Sequence, residues 1–287
     1  MSAKILDGKA LAGTIRAGLR EDISAVQRSR GAAPKLAIVT GSPDAAAGAY
    51  LRAKLKAASE TGLLAQATPC AEGLPDLLRR LGEDPAVDGI IVEQPLPQGW
   101  DAAGAFTAIP PAKDVEGINP LSYGRFFLCK SAAEIDASGV FPPCTVSAMI
   151  RLLGESRLPT SGKEAAVVGR SEILGRPAAH YLSALDATVT LCHSRTADLA
   201  AHVRRADIVF ACLGRAGLIK GDWIKPGAVV VDAGMNRRND AWIGDVEYAA
   251  AAEKASFITP VPGGVGPVTT AVVLANTVRA AKLALRA

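Results

Sequence analysis

The sequence predicts an α/β protein built from two open parallel-sheet layers, and three observations carry that expectation. Short apolar runs that fit strands alternate with helical patterns along nearly the whole chain. None of these runs approaches the roughly 20 residues of a membrane span. A Pro- and Gly-rich stretch from Glu93 to Lys130 separates one alternating set from the next, so the 287 residues suit two domains of ordinary size.

The first set opens with Asp7 as the cap of a long helix, in which Leu11, Ile15, Leu19, Ile23 and Val26 recur at helical spacing. KLAIVT (35–40) reads as a strand, 46–61 as a helix, LLAQAT as a strand, 74–81 as a helix and DGIIV (88–92) as a strand. The next stretch, EQPLPQGWDAAGAFTAIPPAKDVEGINPLSYGRFFLCK, is expected to hold little regular structure. Loops this long inside compact chains are usually functional. A helix over 146–153 leads to the second set: EAAVVG, a helix from Gly175, ATVTL, a helix near Asp198, DIVFACLG, GAVVVDAG and SFITP. A closing helix over 268–285 follows the turn PVPGGVGPVT.

Thirty-two Lys and Arg against 28 Asp and Glu give a net charge of +4 spread along the chain, and aromatic residues are only 5%, so no nucleic-acid partner is expected. Cys70, Cys129, Cys144, Cys192 and Cys212 are widely spaced and form no CxxC pair. Reduced thiols are the expectation, without a disulfide framework. The three histidines lack ligand spacing, so no metal is expected either. The N-terminus shows no apolar signal core, and a cytoplasmic address with no membrane partner is the expectation.

EAAVVGRSEILGRPAAHYL places Gly169 and Gly175 between a strand and a helix. Such a turn brings backbone N–H groups and a positive helix end to a pyrophosphate, although the spacing is not GxGxxG. The next strand ends in CHSRT, where an NAD enzyme would carry an acid for the ribose hydroxyl. Ser194 and Arg195, with Arg170 beside the first glycine, suit a 2′-phosphate instead. NADP is the expected cofactor.

Tyr50 and Lys54 lie one turn apart on the second helix and share a face. A Tyr-x-x-x-Lys pair also marks short-chain dehydrogenases, but there the nucleotide glycines come first, and here they follow. The motifs GIIVEQPLPQG, PAKDVEGINP, PPCT, VVGRSEILGRP, CHSRT, GDWIKPGAVVVDAGMN, GDVEY and TPVPGGVGPVTTAVVLANT occur in one order over the chain. In this the sequence closely resembles the bifunctional methylenetetrahydrofolate dehydrogenase/methenyltetrahydrofolate cyclohydrolase family.

The resemblance implies two α/β domains flanking a cleft, the C-terminal one a Rossmann-type NADP-binding domain, with tetrahydrofolate one-carbon derivatives as substrates and a homodimer as the usual assembly. Residues 1–144, completed by 268–287, would form the folate-binding domain and 145–267 the NADP-binding domain. By position, Lys54 matches the catalytic lysine and Tyr50 the ring-stacking tyrosine, with Val92, Glu93, Gln94 and Glu116 at substrate-contact positions. Pro262, Gly263, Gly264, Val265 and Gly266 form the Gly-rich substrate segment. Gly169, Arg170, Ser171, Ser194, Arg195, Met235, Gly266 and Thr269 take the cofactor.

The folate half departs from the family pattern. Glu93 followed by Gln94 stands where members usually carry glutamine directly after the strand, Glu116 replaces the aspartate of KDVDG, Ala47 replaces a serine, and PCTVSA replaces PCTPxG. Carboxylates at 93 and 116 bear on the two reactions differently. Hydride loss from methylenetetrahydrofolate is driven by the substrate's own nitrogens and needs positioning, whereas hydrolysis of the methenyl cation needs proton transfers at Lys54. An ionised Glu93 beside Lys54 would favour the ammonium and weaken that second step. Glu116 is expected to make a two-point contact with the pterin, the alternative being an ion pair with Lys113. Other readings are a family member that acts only as a dehydrogenase or on another pterin-like carrier, and a non-catalytic NADP-binding regulator. A shikimate-dehydrogenase-like enzyme fits the architecture but not KDVEG or PVPGGVGPVT.

Overall fold

The structure is a computed structural model that describes residues 2–41, 45–70, 73–93, 96, 102–239 and 241–286; for 45–47, 49, 50, 102 and 103 it describes the backbone alone. Strands are β1 (Lys4–Ile5), β2 (Lys35–Thr40), β3 (Leu64–Pro69), β4 (Gly89–Val92), β5 (Glu164–Val168), β6 (Thr188–Cys192), β7 (Ile208–Ala211), β8 (Val229–Asp232), β9 (Asn236–Arg238), β10 (Ala241–Ile243) and β11 (Phe257–Ile258). Helices are α1 (Gly8–Arg30), α2 (Ala45–Thr61), α3 (Leu74–Glu83), α4 (Ala102–Phe106), α5 (Pro120–Leu128), α6 (Ala132–Ala137), α7 (Cys144–Glu155), α8 (Gly175–Ala184), α9 (Leu199–Arg205), α10 (Tyr248–Ala252) and α11 (Val265–Ala284). They fall into two compact units. One comprises Met1–Ala12, Cys129–Ala137 and Thr145–Thr269; the other comprises Gly13–Leu128, Ser138–Cys144 and Thr270–Ala287.

In the second of these units three parallel strands pair in the order β3-β2-β4. The middle of β2 and all of β4 are buried, which is why both read as unbroken apolar runs rather than alternating ones. On one face Ala37, Val39, Ile90 and Val92 pack with Leu74, Leu77 and Leu78 of α3 and with Phe106 and Ile109. The expected cap of α1 is present, with Asp7 Oδ1 accepting from the backbone N–H of Lys9 and Ala10 at 2.9 and 3.0 Å. At the far end of α1, Arg30 donates both guanidinium nitrogens to buried Asp88 at 2.6 Å, and Asp88 also accepts the Lys35 N–H at 2.7 Å. That network sets the starts of β2 and β4 side by side.

The stretch after β4 is more regular than its composition suggests. It contains α4, a single 3-10 turn at Pro111–Lys113, and the nine-residue α5. Asn119 explains α5: its Oδ1 accepts from the N–H of Leu121 at 2.6 Å and Ser122 at 3.4 Å, and Pro120 suits a first helical position. The Gly and Pro around this cap hid it in the sequence.

The other unit holds a six-stranded, all-parallel sheet in the order β1-β11-β8-β7-β5-β6. Numbered from β5, its five consecutive sheet strands run 2-1-3-4-5, a doubly wound order whose direction reverses between β5 and β7. Ligands of such sheets bind at that reversal, beyond the carboxyl ends of the strands. Several small elements of this unit escaped the sequence reading: β1, only two residues long, the antiparallel hairpin β9–β10, and the short helices α6 and α10. Asn239 at the hairpin turn adopts a left-handed φ of 49°, which asparagine tolerates well. The last helix also starts earlier than expected, at Val265 inside the Gly-rich turn.

Candidate active and cofactor sites

At the carboxyl end of β4 the chain presents two carboxylates and one ammonium. Lys54 Nζ, from α2, donates to Glu93 Oε1 at 2.6 Å, and the two side chains are only 13% and 11% exposed. The Glu93 backbone N–H donates to Val39 O at 2.9 Å, so the glutamate's stem continues the sheet and its position is fixed by strand pairing. Glu116 lies alongside, its Oε2 accepting the N–H of Val92 at 3.2 Å. Packed protein around Glu116 pushes its carboxyl up to about 7; Lys54 pulls the other way, while Glu93 and Asp114 add to the rise. The expected Glu116–Lys113 alternative is not what forms. Lys113 Nζ donates instead to the carbonyl of Asp84 at 2.6 Å, and burial lowers its pKa.

Glu116 is held out by a buried scaffold that sequence reasoning did not single out. Asp114 is fully buried and accepts the N–H groups of Gly117, Ile118 and Asn119 at 3.1, 3.0 and 2.9 Å, closing the KDVEGIN loop on itself. Gly117 is required there, because its φ is 72° and an added Cβ would lie 2.3 Å from Phe141 O. Asn276 in α11 donates to Val115 O at 2.9 Å and to Cys144 Sγ at 3.4 Å, and Cys144 donates to the same carbonyl at 3.0 Å. Burial raises the Cys144 thiol well above its ordinary range. Cys144 is therefore a packing group.

Tyr50 lies in α2 one turn before Lys54, with its side chain outside the described residues. Gln94 lies outside them altogether. Val92 is buried at the end of β4 and meets the site through its N–H.

In the doubly wound unit, Gly169 sits at the reversal of strand order. Its N–H donates to Cys192 O at 2.9 Å at the end of β6, and an added Cβ would lie 2.0 Å from Cys212 O at the end of β7. Its φ of 128° is open only to glycine. Gly175 closes the turn at similarly short range, with a Cβ position 2.0 Å from Gly169 O, so α8 starts directly over the glycine. Ser171 supports that start by accepting the Gly175 N–H on its hydroxyl at 3.4 Å. Only a cradle without side chains fits here.

The CHSRT segment folds into a closed turn: His193 N–H donates to Thr196 Oγ1 at 2.8 Å and Arg195 N–H to His193 Nδ1 at 3.1 Å. Ser194 and Arg195 therefore point their side chains to solvent beside the Gly169 turn, since Val168 pairs with Cys192. Arg170 is exposed there too, and neither arginine has an ion-pair partner among the described residues. Two unpaired guanidiniums with no acid at the strand end fit a 2′-phosphate and oppose a bare ribose hydroxyl.

A second scaffold, buried Asp232 and Asp245, shapes the rest of this site. Asp245 accepts the N–H groups of Leu213, Gly214 and Arg215 at 2.6, 2.9 and 2.7 Å, which fixes the loop after β7, and it holds Asn236 Nδ2 at 2.9 Å. Asp232 accepts from Gly234, Asp245 and Val246 at 2.8 to 3.0 Å, and burial nevertheless raises its carboxyl to about 6. Met235, 39% exposed, is carried on the same loop. The motifs VVVDAGMN and GDVEY contain both aspartates. In the Gly-rich segment Pro262 is exposed, Gly263 has a φ of 109°, and Gly264 packs so closely on Pro260 that a Cβ would lie 2.6 Å from its carbonyl oxygen. Val265, Gly266 and Thr269 form the first turns of α11, with Thr269 Oγ1 donating to Val265 O at 3.2 Å. A cavity of about 290 Å³ lined by Lys220, Asp232, Arg238, Glu247 and Tyr248 lies elsewhere on this unit, and none of the expected cofactor residues lines it. Among the described residues no cluster suits a metal ion, and no helix is long and apolar enough to cross a membrane.

Residues 6–116 match the catalytic domain of the tetrahydrofolate dehydrogenase/cyclohydrolase family, and residues 143–285 match its NAD(P)-binding domain. The chain is 46% identical to the bifunctional protein FolD of Anaeromyxobacter dehalogenans, covering 98% of this chain and 99% of that one. It is 44% identical to the bifunctional protein FolD 2 of Myxococcus xanthus, covering 98% and 96%. Among solved structures, the methylenetetrahydrofolate dehydrogenase-cyclohydrolase of Trypanosoma brucei, in complex with NADP and an inhibitor, superposes with a TM-score of 0.93 at 35% identity and full coverage of both chains.

Proposed function

This chain belongs to the tetrahydrofolate dehydrogenase/cyclohydrolase family, and on that premise we propose that it oxidises 5,10-methylenetetrahydrofolate with NADP and hydrolyses the methenyl product to 10-formyltetrahydrofolate. The observation that carries this reading is the Lys54–Glu93–Glu116 cluster at the end of β4. An ammonium and a carboxylate side by side provide what the second reaction lacks by itself, a proton donor and an anchor for the pterin.

In this reading ionised Glu116 accepts two hydrogen bonds from the pterin ring N–H and amino group, a two-point contact that fixes the ring's orientation. Tyr50 stacks on the ring, and Val92, Gln94 and the Pro262–Gly266 segment bound the substrate. The methylene carbon lies between two nitrogens whose lone pairs expel hydride, so holding the reactants in line provides most of the catalysis. NADP, when bound, is the hydride acceptor. Gly169, Ser171 and the start of α8 would hold its pyrophosphate, Arg170, Ser194 and Arg195 its 2′-phosphate, and Met235, Gly266 and Thr269 its remaining contacts.

Lys54 then serves hydrolysis. Its ammonium holds the water that adds to the methenyl carbon; the water's proton passes to solvent, the ammonium stabilises the alkoxide that remains, and collapse of that alkoxide breaks the bond to N5, which takes up a proton, leaving the formyl group on N10. Glu93 accepts from Lys54 Nζ at 2.6 Å, which holds the lysine in place as a hydrogen-bond donor. We place the folate-binding domain at 1–144 with 268–287 and the NADP-binding domain at 145–267, in a cytoplasmic homodimer.

The test is a paired assay on one preparation: NADP reduction with methylenetetrahydrofolate, and loss of methenyltetrahydrofolate absorbance without NADP. Both signals are expected. Absence of the first removes the reading altogether; absence of the second alone restricts it to the dehydrogenase.

A further inference from the structure

The reactions proposed above pass through ligands of different charge. Methylenetetrahydrofolate and 10-formyltetrahydrofolate are uncharged at the one-carbon unit, whereas methenyltetrahydrofolate is a delocalised cation there. The charges around Lys54 therefore choose among them. Facing its Nζ are Glu93 from the end of β4, in direct contact, and Glu116, with Asp114 behind it on the same loop and Cys144 at the start of α7. Of these, Glu93 is the carboxylate that touches the ammonium and is itself shielded from solvent at 11% exposure. With a neutral amide at this position, the Lys54 ammonium would be balanced by Glu116 alone, which the proposed reading takes as ionised, and the cluster would sum to zero. With Glu93 the cluster carries one net negative charge.

We propose that Glu93 is a specificity-determining residue whose charge makes the Lys54–Glu93–Glu116 cluster net negative beside the one-carbon unit, so that this site holds the cationic methenyl form in preference to uncharged folates. The inference rests on the reading that Lys54 lies at the reacting carbon. Its consequence is a division of labour: the product of oxidation is retained, and its hydrolysis starts from a better-stabilised ground state. A unit charge about 10 Å away at an effective dielectric near 20 changes binding by about tenfold. The low exposure of the pair limits screening by solvent.

The experiment measures inhibition constants for methenyltetrahydrofolate and for tetrahydrofolate, uncharged at the same nitrogens, against methylenetetrahydrofolate oxidation, by stopped flow before hydrolysis proceeds. The native protein is expected to bind the cation at least about tenfold more tightly than tetrahydrofolate. Glu93→Gln should reduce that ratio by about tenfold, and Glu93→Asp, which keeps the charge, should preserve most of it. Glu93→Met gives the same neutral readout if the glutamine variant does not fold. A merely structural role would move both constants together. Equal binding of the two ligands by the native protein, or a ratio unchanged in the neutral variants, overturns the inference. Failure of the underlying reading looks different: neither folate inhibits, or Lys54→Met retains cyclohydrolase.

Discussion

In the proposed reading the turn at Gly169 and the Lys54 cluster solve the same problem, holding a charged ligand, in opposite ways. Around Gly169 the chain removes side chains until only backbone remains, with would-be Cβ positions 2.0 Å from carbonyl oxygens at both Gly169 and Gly175. Around Lys54 it crowds ionisable side chains together and shields them. The first solution depends on shape and tolerates no substitution at its glycines. The second depends on charge balance, which a single isosteric replacement can reset without disturbing the fold.

The sharpest way to break the comparison is at the glycine. Gly169→Ala forces a left-handed φ on a residue with a Cβ and drives that atom into Cys212 O, so a loss on the order of 3 kcal/mol or more is expected, together with loss of NADP binding. Thermal unfolding and a cofactor titration check it. An alanine variant that melts and binds like the parent would mean that shape does not govern this region.

A smaller effect is expected where charge enters the nucleotide region. Removing a charge-assisted phosphate contact costs about 1.5 to 3 kcal/mol, roughly 10- to 150-fold. Arg195→Ala or Arg170→Ala should accordingly raise the Michaelis constant for NADP by that factor and leave that for NAD nearly unchanged. Parallel changes for both cofactors would remove the 2′-phosphate from the account.

The smallest effect is a pH dependence in the other region. Burial raises Glu116 to about 7, above its ordinary 4.5, and Lys54 on α2, Glu93 at the end of β4, Asp114 on the same loop and the Cys144 thiol face it. The pterin contact proposed for Glu116 needs the ionised carboxylate, so on that proposal the Michaelis constant for methylenetetrahydrofolate should fall a few-fold as pH rises through about 7. Stability moves the other way. A carboxyl raised on folding contributes stability that is fully present below its unfolded pKa and is lost as pH rises towards about 7. Glu116→Gln should flatten both profiles.

Most of the fold could be read from the sequence because parallel strands buried on both faces leave long apolar signatures; KLAIVT, for instance, is β2 without a residue's error. The helix α5 was missed for the opposite reason, since its signal is one asparagine cap amid glycines and prolines. The strand, turn and helix around Gly169 and Gly175 were legible, because an apolar run, two glycines and a helical pattern follow one another directly in the sequence. Asp114, Asp232 and Asp245 were not, because a buried acid gathering backbone N–H groups looks in sequence like any surface acid. The Lys54–Glu93 pair spans 39 positions and two elements, and only the pairing of β2 with β4 brings it together.

The account turns on Lys54 serving one reaction and not the other, and the Lys54→Met variant tests that directly. Measured on one preparation with NADP affinity shown to be intact, it should lose methenyltetrahydrofolate hydrolysis while hydride transfer to NADP stays measurable, because the substrate's own nitrogens drive that step. Loss of both activities together with intact cofactor binding, or survival of hydrolysis, would contradict it.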